Sequence, residues 1–234
     1  MAERSKSLRP TTWADDPEGL IAIQNGLSAV QPEPWEPSGV ITFGGCWVCF
    51  SRGIKGRGQV GEPAWAAAVL VQRHRLVART IVTGKAGYAY EPGLMGLREG
   101  PLLEVVMRGL PRLPDCLLVN ATGLDHPRRA GLALHLGAVL DVPTVGVTHR
   151  PLDAEGDQPG EGKGATAPLR IGSDLVGFWL RTRTGAKPLA VTGGWKVDPD
   201  TAVEAVALAV KRARTPEPLR KARYFARLAR AGLL

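Results

Sequence analysis

Three long apolar runs follow one another between residues 40 and 83, and they constrain the fold more than any other feature. The run VITFGGCWVCF at 40–50 predicts a buried strand, because a short apolar run bounded by turn residues is typical of one. The runs AWAAAVLVQ at 64–72 and RLVARTIVT at 75–83 predict two more strands, joined at Arg73 and His74. Together they predict a hairpin that continues the sheet begun at residue 40.

The rest of the chain alternates between strand and helix patterns. CLLVN at 116–120 and VPTVGV at 142–147 predict strands on either side of a helix at 128–140, and DLVGFWLRTRTGAKPLAVT at 174–192 predicts a second hairpin. Residues 153–168 predict a flexible excursion. Further helices are expected at 13–30, 98–109, 199–213 and 217–231. Three strands in hairpin order, followed by strand–helix–strand, predict an α/β, RNase H-like fold with a mixed sheet of about five or more strands flanked by helices.

Length and composition indicate one globular domain over residues 1–234, with 44% hydrophobic residues available for its core. No apolar run reaches the roughly 18 residues that a membrane span requires. The polar start MAERSKSLRP lacks an apolar signal core, and three cysteines form no disulfide framework. These features predict a cytoplasmic protein without a membrane partner.

The formal charge of +8 comes almost entirely from the C-terminal region, where eight basic residues between 211 and 230 face one acid, Glu217. Several of these cations recur at helical spacing beside an apolar stripe. Two interpretations remain open, a solvated helix face and a strip that contacts phosphates. The basic residues are Lys211, Arg212, Arg214, Arg220, Lys221, Arg223, Arg227 and Arg230.

Five segments, in order along the chain, carry motifs. They are YEPGLMGLREGPLLE at 90–104, LLVNATGLDHPRRAGLALHLG at 117–137, VPTVGVTHRPL at 142–152, LRTRTGAKPLAVTGGWKVDPDTAVEAV at 180–206 and TPEPLRKAR at 215–223. In content and order, the five segments resemble the endonuclease V family across nearly the whole chain.

This resemblance implies magnesium-dependent hydrolysis of a phosphodiester near a deaminated purine, such as inosine in DNA or RNA. A hard divalent cation needs oxygen ligands, and in this family carboxylates from separate elements and a late histidine surround it. Carried over by motif, these positions are Trp47, Glu99, Asn120 and Trp195. Only Glu99 keeps its family identity, as a weak metal ligand, so we expect Mg²⁺ binding to be lost or weak and family-type cleavage to be absent. His149 stands where the resemblance implies a lysine near the phosphate.

The parts that grip the substrate match better. The resemblance implies that Tyr90, Pro92 and Gly93 belong to a loop that wedges into nucleic acid beside the displaced base, although Glu91 departs from the pattern. The resemblance also implies that the segment at 121–129 lies next to the pocket for the base. Ala121, Thr122 and Asp125 depart from the family's pattern in this segment. The residues that match the pattern are Gly123, His126, Pro127, Arg128 and Arg129.

Two cysteines and two tryptophans leave further alternatives. Cys46 and Cys49 form a C-x-x-C pattern on a strand, where residues three apart point to opposite faces and cannot chelate one ion. Trp47 and Cys49 share a face, so Cys49 either borders the site as a nucleophile or is an inert core residue. Trp47 and Trp195 either meet as an aromatic wall for a planar ligand or fill the site as core.

Four polar residues have both an ordinary and a functional interpretation. Glu99 is either a favourable charge at a helix N-terminus or a retained catalytic or ligand residue. Asn120 either hydrogen-bonds the turn that follows it or acts in the site. His126 and His149 are either capping or surface residues, or acids and bases of the site.

Three functions follow. The first is an endonuclease V-like protein that has lost family cleavage and binds nucleic acid or nucleotide. The second is an enzyme repurposed for a small molecule, using Glu99, Asn120, His126, His149 and Cys49. The third is an active nuclease with an altered metal site drawing on Glu99, Asp125 or Glu91.

Overall fold

The computed structural model describes residues 12–53 and 56–234, and its centre is one eight-stranded mixed sheet in the order β3-β2-β1-β4-β5-β8-β7-β6. The strands in chain order are β1 (Thr42–Phe50), β2 (Pro63–Gln72), β3 (Arg75–Lys85), β4 (Cys116–Val119), β5 (Thr144–Thr148), β6 (Thr166–Ile171), β7 (Asp174–Leu180) and β8 (Leu189–Gly193).

Helices cover both faces of the sheet, and alternate residues of β2 show how the faces divide. Ala68 packs towards the helices that follow the first hairpin, whereas Val69 packs towards the C-terminal helix. The helices α1 to α3 lie over the first face, and α4 and α5 lie over the second. Their bounds are α1 (Pro17–Ser28), α2 (Met95–Arg108), α3 (Leu132–Leu140), α4 (Pro199–Ala209) and α5 (Glu217–Arg230). Within the described residues, none of these helices is both long and apolar enough to cross a membrane.

The predicted hairpin is confirmed. β2 and β3 are antiparallel and are joined at Arg73 and His74, which both adopt left-handed backbone angles, with φ of 48° and 62°. Two successive residues of this kind match the right-handed twist of the flanking strands, as tight hairpin turns require.

The three strands β1, β4 and β5 run parallel at the centre of the sheet. Cys46 pairs with Val119, and Val119 pairs with Gly146. The residues that follow, Trp47 on β1 and Asn120 after β4, therefore lie side by side at the carboxyl ends of these strands. We call this border the carboxyl edge. An antiparallel hairpin leading into strand–helix–strand is the RNase H-like arrangement, so the predicted fold class is confirmed.

Three helix starts differ from the prediction. α1 begins at Pro17 rather than at residue 13, because the Asp16 side chain caps the helix by accepting the backbone N–H of Gly19. α2 begins at Met95 rather than at residue 98, because Leu97 belongs to an apolar cluster with Leu20 and Leu94 that the loop pattern concealed. Glu99 consequently lies in the second turn and is not an N-terminal charge. α3 begins at Leu132 rather than at residue 128, because Arg129 adopts a left-handed conformation with φ of 53°, which interrupts a helix.

The segment at 153–168, which was predicted to be flexible, forms a strand at its end, and hydrogen bonds hold the loop before that strand against the sheet. Its end forms β6, an edge strand that pairs with β7 and tolerates Pro168 because an edge leaves one side unpaired. The buried Arg181 side chain donates hydrogen bonds to the carbonyl oxygens of Gly160 at 2.5 Å and Pro159 at 2.9 Å. These bonds hold the loop that precedes β6 against the sheet.

Candidate functional site

Two adjoining cavities open at the carboxyl edge, and the exposed Asn120 lines both. The outer cavity has a volume of about 370 Å³, and its wall comes from α1, the loop before α2, the turn after β4 and the segment after β5. The inner cavity, of about 70 Å³, lies between β1 and α2 and contains Glu99. Met95 and Leu132 also line both cavities. The two spaces are therefore neighbours separated by a few side chains.

The loop of residues 90–94, which we call the wedge loop, is fixed at one carbonyl oxygen. The Gly93 carbonyl lies 3.1 Å from each of three nitrogen atoms: Nε2 of Gln24, Nε2 of His126 and Nη2 of Arg128. Gly93 has a left-handed φ of 79°, which favours glycine. Tyr90 at the start of the loop remains 45% exposed. The loop thus has a rigid base and an accessible tip.

The buried His126 is held neutral by its two hydrogen bonds. The backbone N–H of Arg128 donates to Nδ1 at 3.1 Å, so Nδ1 is unprotonated and Nε2–H donates to the Gly93 carbonyl. Burial lowers the pKa of His126, although the bond to Gly93 partly opposes this. Both ring nitrogens are engaged, so His126 positions the wedge loop rather than offering a free base.

Asp125 is fully buried and fastens the opposite wall of the outer cavity. Its carboxylate accepts backbone N–H groups from Leu152 at 2.7 Å, Asp153 at 2.9 Å and Ala154 at 2.8 Å. Leu152 lines the cavity. The departure at this position therefore has a structural explanation, because a carboxylate is the acceptor that such a cluster of donors requires.

Gly123, Arg128 and Arg129 support the outer cavity without lining it. A Cβ at Gly123 would lie 1.9 Å from the Gly193 carbonyl oxygen, so only glycine allows the turn to approach β8. Arg128 Nε donates to Gln24 Oε1 at 2.6 Å behind the wedge loop. Arg129 points away, where its Nη2 lies 3.2 Å from a carboxylate oxygen of Asp174. These three residues do not line the outer cavity, and their predicted contacts with substrate stay a prediction.

Glu99 is the one carboxylate of the inner cavity among the described residues. It lies on the α2 side of β1, where Cys46 also points. Burial raises the pKa of Glu99 to about 7, and the neighbouring Arg98 charge opposes this only in part. The Glu99 carboxyl therefore titrates close to neutral pH.

The two indoles expected to meet are separated by the sheet. Trp47 packs towards α5, with Cys49 and Phe225 in the same cluster, and it is also among the residues that line the inner cavity. Trp195 is buried among Leu27 and Leu134 of α1 and α3. Of the two alternatives that the sequence left open for this pair, the aromatic wall is therefore not formed.

The reason is the direction of β8. Because β8 runs antiparallel to β5, the residues after β8 return to the amino-terminal end of β5. The Trp195 backbone N–H accordingly donates to Thr144 Oγ1 at 2.9 Å, at the opposite end of the strand from Asn120. Its indole Nε1 donates to Asp141 at 3.2 Å, so Trp195 is a core residue that lines neither cavity.

The cysteine prediction is confirmed in its geometry. Cys46 is buried beneath α2 and Cys49 is buried against α5, on opposite faces of β1. Burial raises the pKa of Cys49, and the positive charges of Arg230, Arg227 and Arg223 offset part of that rise. Neither cavity at the carboxyl edge is lined by Cys49.

His149 is exposed in the segment after β5, next to two residues of the outer cavity, Thr148 and Arg150. Partial burial lowers the pKa of His149, and the positive charges of Arg214 and Arg223 lower it further. His149 is thus the neighbour of a cationic region rather than part of the cavity wall.

Comparison with known proteins decides the family. The sequence model described as Endonuclease V matches residues 39–224. The chain belongs to the endonuclease V family. The Endonuclease V of Streptomyces avermitilis is 34% identical over 224 residues, which cover 94% of this chain and 95% of the relative. The Endonuclease V of Methanopyrus kandleri is 39% identical over 169 residues, which cover 71% of this chain and 73% of the relative.

Solved structures of endonuclease V share the fold. The crystal structure from Streptomyces avermitilis has a TM-score of 0.84 at 32% identity and covers 95% of this chain and 96% of its own. Endonuclease V of Ciona intestinalis, in complex with a 23-mer DNA containing an inosine followed by a ribo-adenosine, has a TM-score of 0.75 at 19% identity. That likeness covers 93% of this chain and 98% of the Ciona chain. The resemblance seen in the motifs is thereby confirmed.

The metal ion associated with endonuclease V does not fit the residues present here. Across residues 12–53 and 56–234, no group of three or more His, Cys, Asp or Glu side chains is placed to hold a metal ion. At the carboxyl edge an indole and an amide accompany Glu99, and Asp125 is occupied by backbone donors. Neutral side chains compensate a hard divalent cation poorly, so the altered metal site proposed as a third alternative finds no ligand set in the described residues.

Several residues of the outer cavity were missed by sequence reasoning. Gln24 comes from a helix outside the motifs, and only its contact with Gly93 reveals it. Thr148, Arg150 and Leu152 lie within the quoted motif at 142–152, so the segment carried a signal although the individual residues did not.

Proposed function

We propose that this endonuclease V family member binds a strand of DNA or RNA and holds a deaminated purine such as inosine in the outer cavity, without cutting the strand by the family's metal-dependent reaction. The carrying observation is the arrangement of the site. The wedge loop and the turn after β4 enclose a cavity that opens onto Asn120, while Glu99 is the single carboxylate of the adjoining inner cavity and no group of three metal-binding side chains occurs among the described residues.

The size and lining of the outer cavity suit one flipped base. Its volume of about 370 Å³ falls within the roughly 300–1,000 Å³ typical of ligand pockets. Met95 and Leu132 supply apolar surface for the faces of a ring, and the Asn120 carboxamide offers both a donor and an acceptor for its edge. A base extruded from a strand needs this combination of close walls and edge contacts.

The wedge loop supplies the element that separates the base from its neighbours. The exposed ring of Tyr90 and the exposed Pro92 stand at the mouth of the cavity, and the fixed Gly93 carbonyl holds them there. An aromatic ring in this position can stack on the base next to the extruded one. The inosine-containing DNA bound by the Ciona protein is consistent with this use of the fold.

The inner cavity supports the proposal that the strand is bound but not cut by the family's metal-dependent reaction. Hydrolysis by the family reaction needs a cation to stabilise negative charge on the phosphate and to activate water. Here the neutral side chains of Trp47 and Asn120 accompany Glu99 in the lining of the inner cavity, so a single carboxylate would face the ion.

A different reaction on a small molecule has less support. Five groups were predicted to carry such chemistry. His126 has both ring nitrogens engaged, and Cys49 and His149 line neither of the two cavities. Glu99 and Asn120 are the two of these groups that line a cavity. A free nucleoside would fill the same outer cavity and is covered by the proposed binding.

The test is fluorescence anisotropy with labelled single strands that carry one inosine or, as the matched strand, one adenosine, in DNA and RNA versions. We expect the inosine strand to bind about tenfold more tightly, equivalent to about 1.4 kcal/mol, and to remain intact when Mg²⁺ is added. Met95→Trp should fill the cavity and remove the preference. Val105→Trp, on the exposed side of the same helix, is the control. Equal affinity for the two strands, or cleavage of the inosine strand in Mg²⁺, would contradict the proposal.

A further inference from the structure

Arg223 places a fixed positive charge at the carboxyl edge. Its guanidinium carbon lies 5.3 Å from the centre of the Trp47 ring. The helix that carries it cannot shift easily, because Ala222 and Ala226 are fully buried against β1 and β2. A cation over an aromatic ring is held both by packing and by the ring's electrostatic attraction. Arg223 is therefore positioned by the fold and is not a freely moving surface charge.

Arg223 lies next to the position at which the resemblance implies that the divalent cation is bound. Trp47 stands where the resemblance placed the first carboxylate, and strand pairing puts Trp47 beside Asn120. Burial raises the pKa of Cys49 on β1, and the Arg223 charge offsets part of that rise. Burial lowers the pKa of His149 after β5, and the Arg223 charge adds to this lowering. Arg223 thus acts on groups that flank the end of β4 from both sides.

The hydrogen-bonding capacity of Arg223 is not used up within the protein. Its Nε is buried and has no hydrogen-bond partner among the described residues, whereas the side chain as a whole remains partly exposed. The exposed part of the guanidinium is therefore what an external ligand can reach. A guanidinium is always charged and its terminal nitrogens are donors, so the oxygens of a phosphate are acceptors that match it in charge and in hydrogen bonding.

The surrounding charge favours an anion. The charges of Arg223, Arg227 and Arg230 all oppose the rise in the pKa of Cys49 that burial causes. The charges of Arg214 and Arg223 add to the lowering of the pKa of His149. Arg150 lines the neighbouring outer cavity. Glu99 lies across β1 under α2, where Arg98 is the cation that acts on it. The Arg223 side of the carboxyl edge is therefore cationic.

We infer that the Arg223 guanidinium takes the place of the divalent ion as the charge that receives a strand phosphate at the carboxyl edge, so that phosphate binding at this site needs no metal. The inference rests on the proposed function for the course of the strand, since the base in the outer cavity brings a neighbouring phosphate to the ends of β1 and β4. A guanidinium neutralises the phosphate but does not generate a bound hydroxide. Arg223 is thus a binding residue, and the site keeps the strand without cutting it.

The experiment measures the affinity of the full chain for the labelled inosine and adenosine strands in EDTA, over a range of salt concentrations, for the wild type and for Arg223→Gln and Arg223→Lys. We expect Arg223→Gln to weaken binding about tenfold and to reduce the salt slope by about one, with Arg223→Lys intermediate. Lys221→Gln removes the same charge from the same helix, about 200° around its axis from Arg223, and should change little. Thermal unfolding of each variant verifies that it is folded.

Strands with a single neutral methylphosphonate, placed in turn at each linkage around the inosine, identify the phosphate. One position should weaken the wild type about tenfold and leave Arg223→Gln unaffected, since the contact is already lost. Unchanged affinity and salt slope in Arg223→Gln would overturn the inference, as would a wild type whose binding requires Mg²⁺. If inosine and adenosine strands bind equally while Arg223→Gln still loses affinity, the proposed base recognition fails and the phosphate contact stands. Absence of binding to every strand at low salt would overturn both.

Discussion

Nε2 of His126 lies 3.1 Å from the carbonyl oxygen of Gly93, and this contact joins the turn after β4 to the wedge loop. The histidine is neutral because its other ring nitrogen accepts the Arg128 backbone N–H. A residue that the sequence presents as a possible acid or base therefore acts as a fixed link between the two walls of the outer cavity.

Replacing His126 by alanine should loosen the wedge loop. The Arg128 N–H loses its acceptor and the Gly93 carbonyl loses one of its three donors, so we expect unfolding to require about 1–3 kcal/mol less. The preference for inosine over adenosine strands should fall more than the affinity for strands in general. Urea unfolding and anisotropy measure the two effects, and Arg170→Gln, exposed on the edge strand β6, serves as the control. An unchanged inosine preference would refute the linking role.

Glu99 should make the protein less stable as pH rises. Burial raises the pKa of its folded-state carboxyl to about 7, above the ordinary value of 4.5, so the folded state holds a proton that the unfolded state releases. Stability is then lost between pH of about 4.5 and about 7, and Glu99→Gln should be the more stable protein at pH 8 by on the order of 1–2 kcal/mol, allowing for partial solvent screening. Urea unfolding of both proteins at pH 4.5 and pH 8 measures this difference. A constant difference at the two pH values would contradict the protonation change.

Asp125→Asn should be among the more damaging polar substitutions in the chain. The carboxylate accepts three backbone N–H groups, and an amide oxygen replaces it with a neutral acceptor while adding a buried donor. We expect a loss of about 2–3 kcal/mol in unfolding free energy. Hydrogen exchange at residues 152–154 should accelerate, whereas Asp157→Asn, exposed in the same segment, should leave it unchanged. Retained protection at 152–154 would show that the carboxylate is not the anchor.

Restoring two carboxylates should create a metal site. Trp47→Asp combined with Asn120→Asp places two acids beside Glu99 at the carboxyl edge. We expect Mn²⁺ to raise the melting temperature of the double variant, since a ligand at 100 times its dissociation constant adds about 2.7 kcal/mol. The wild-type protein provides the comparison. Equal stabilisation of the wild type by Mn²⁺ would mean that its present residues already hold the ion.

The sequence predicts the centre of the fold well because its signals are local. The runs ending at Phe50, Gln72 and Val119 are buried strands whose apolar character needs no tertiary information. The wedge loop and the turn after β4 were likewise found, because their glycines and charged residues lie in continuous motifs. These elements suffice to place Asn120 at the carboxyl edge.

The remaining parts of the site depend on how distant segments return to each other. Trp195 was expected at the site because motif order says nothing about strand direction, and the antiparallel β8 carries it to the far end of β5. Arg223 was one cation among eight in a basic stretch, and its contact with Trp47 depends on which face of α5 packs on the sheet. Gln24 reaches Gly93 across a separation of 69 residues, which no local pattern records.

The contact between Gln24 and Gly93 also affects how far the chain can be truncated. The family model matches residues 39–224, whereas the α1 side chain that steadies the wedge loop lies upstream of that boundary. A fragment trimmed to the matched span would keep every strand of the sheet, but it would lose one of the three donors on Gly93 and the buried Phe225 and Ala226 of α5. A shortened protein that is meant to keep its ligand site therefore has to retain α1 and the whole of α5.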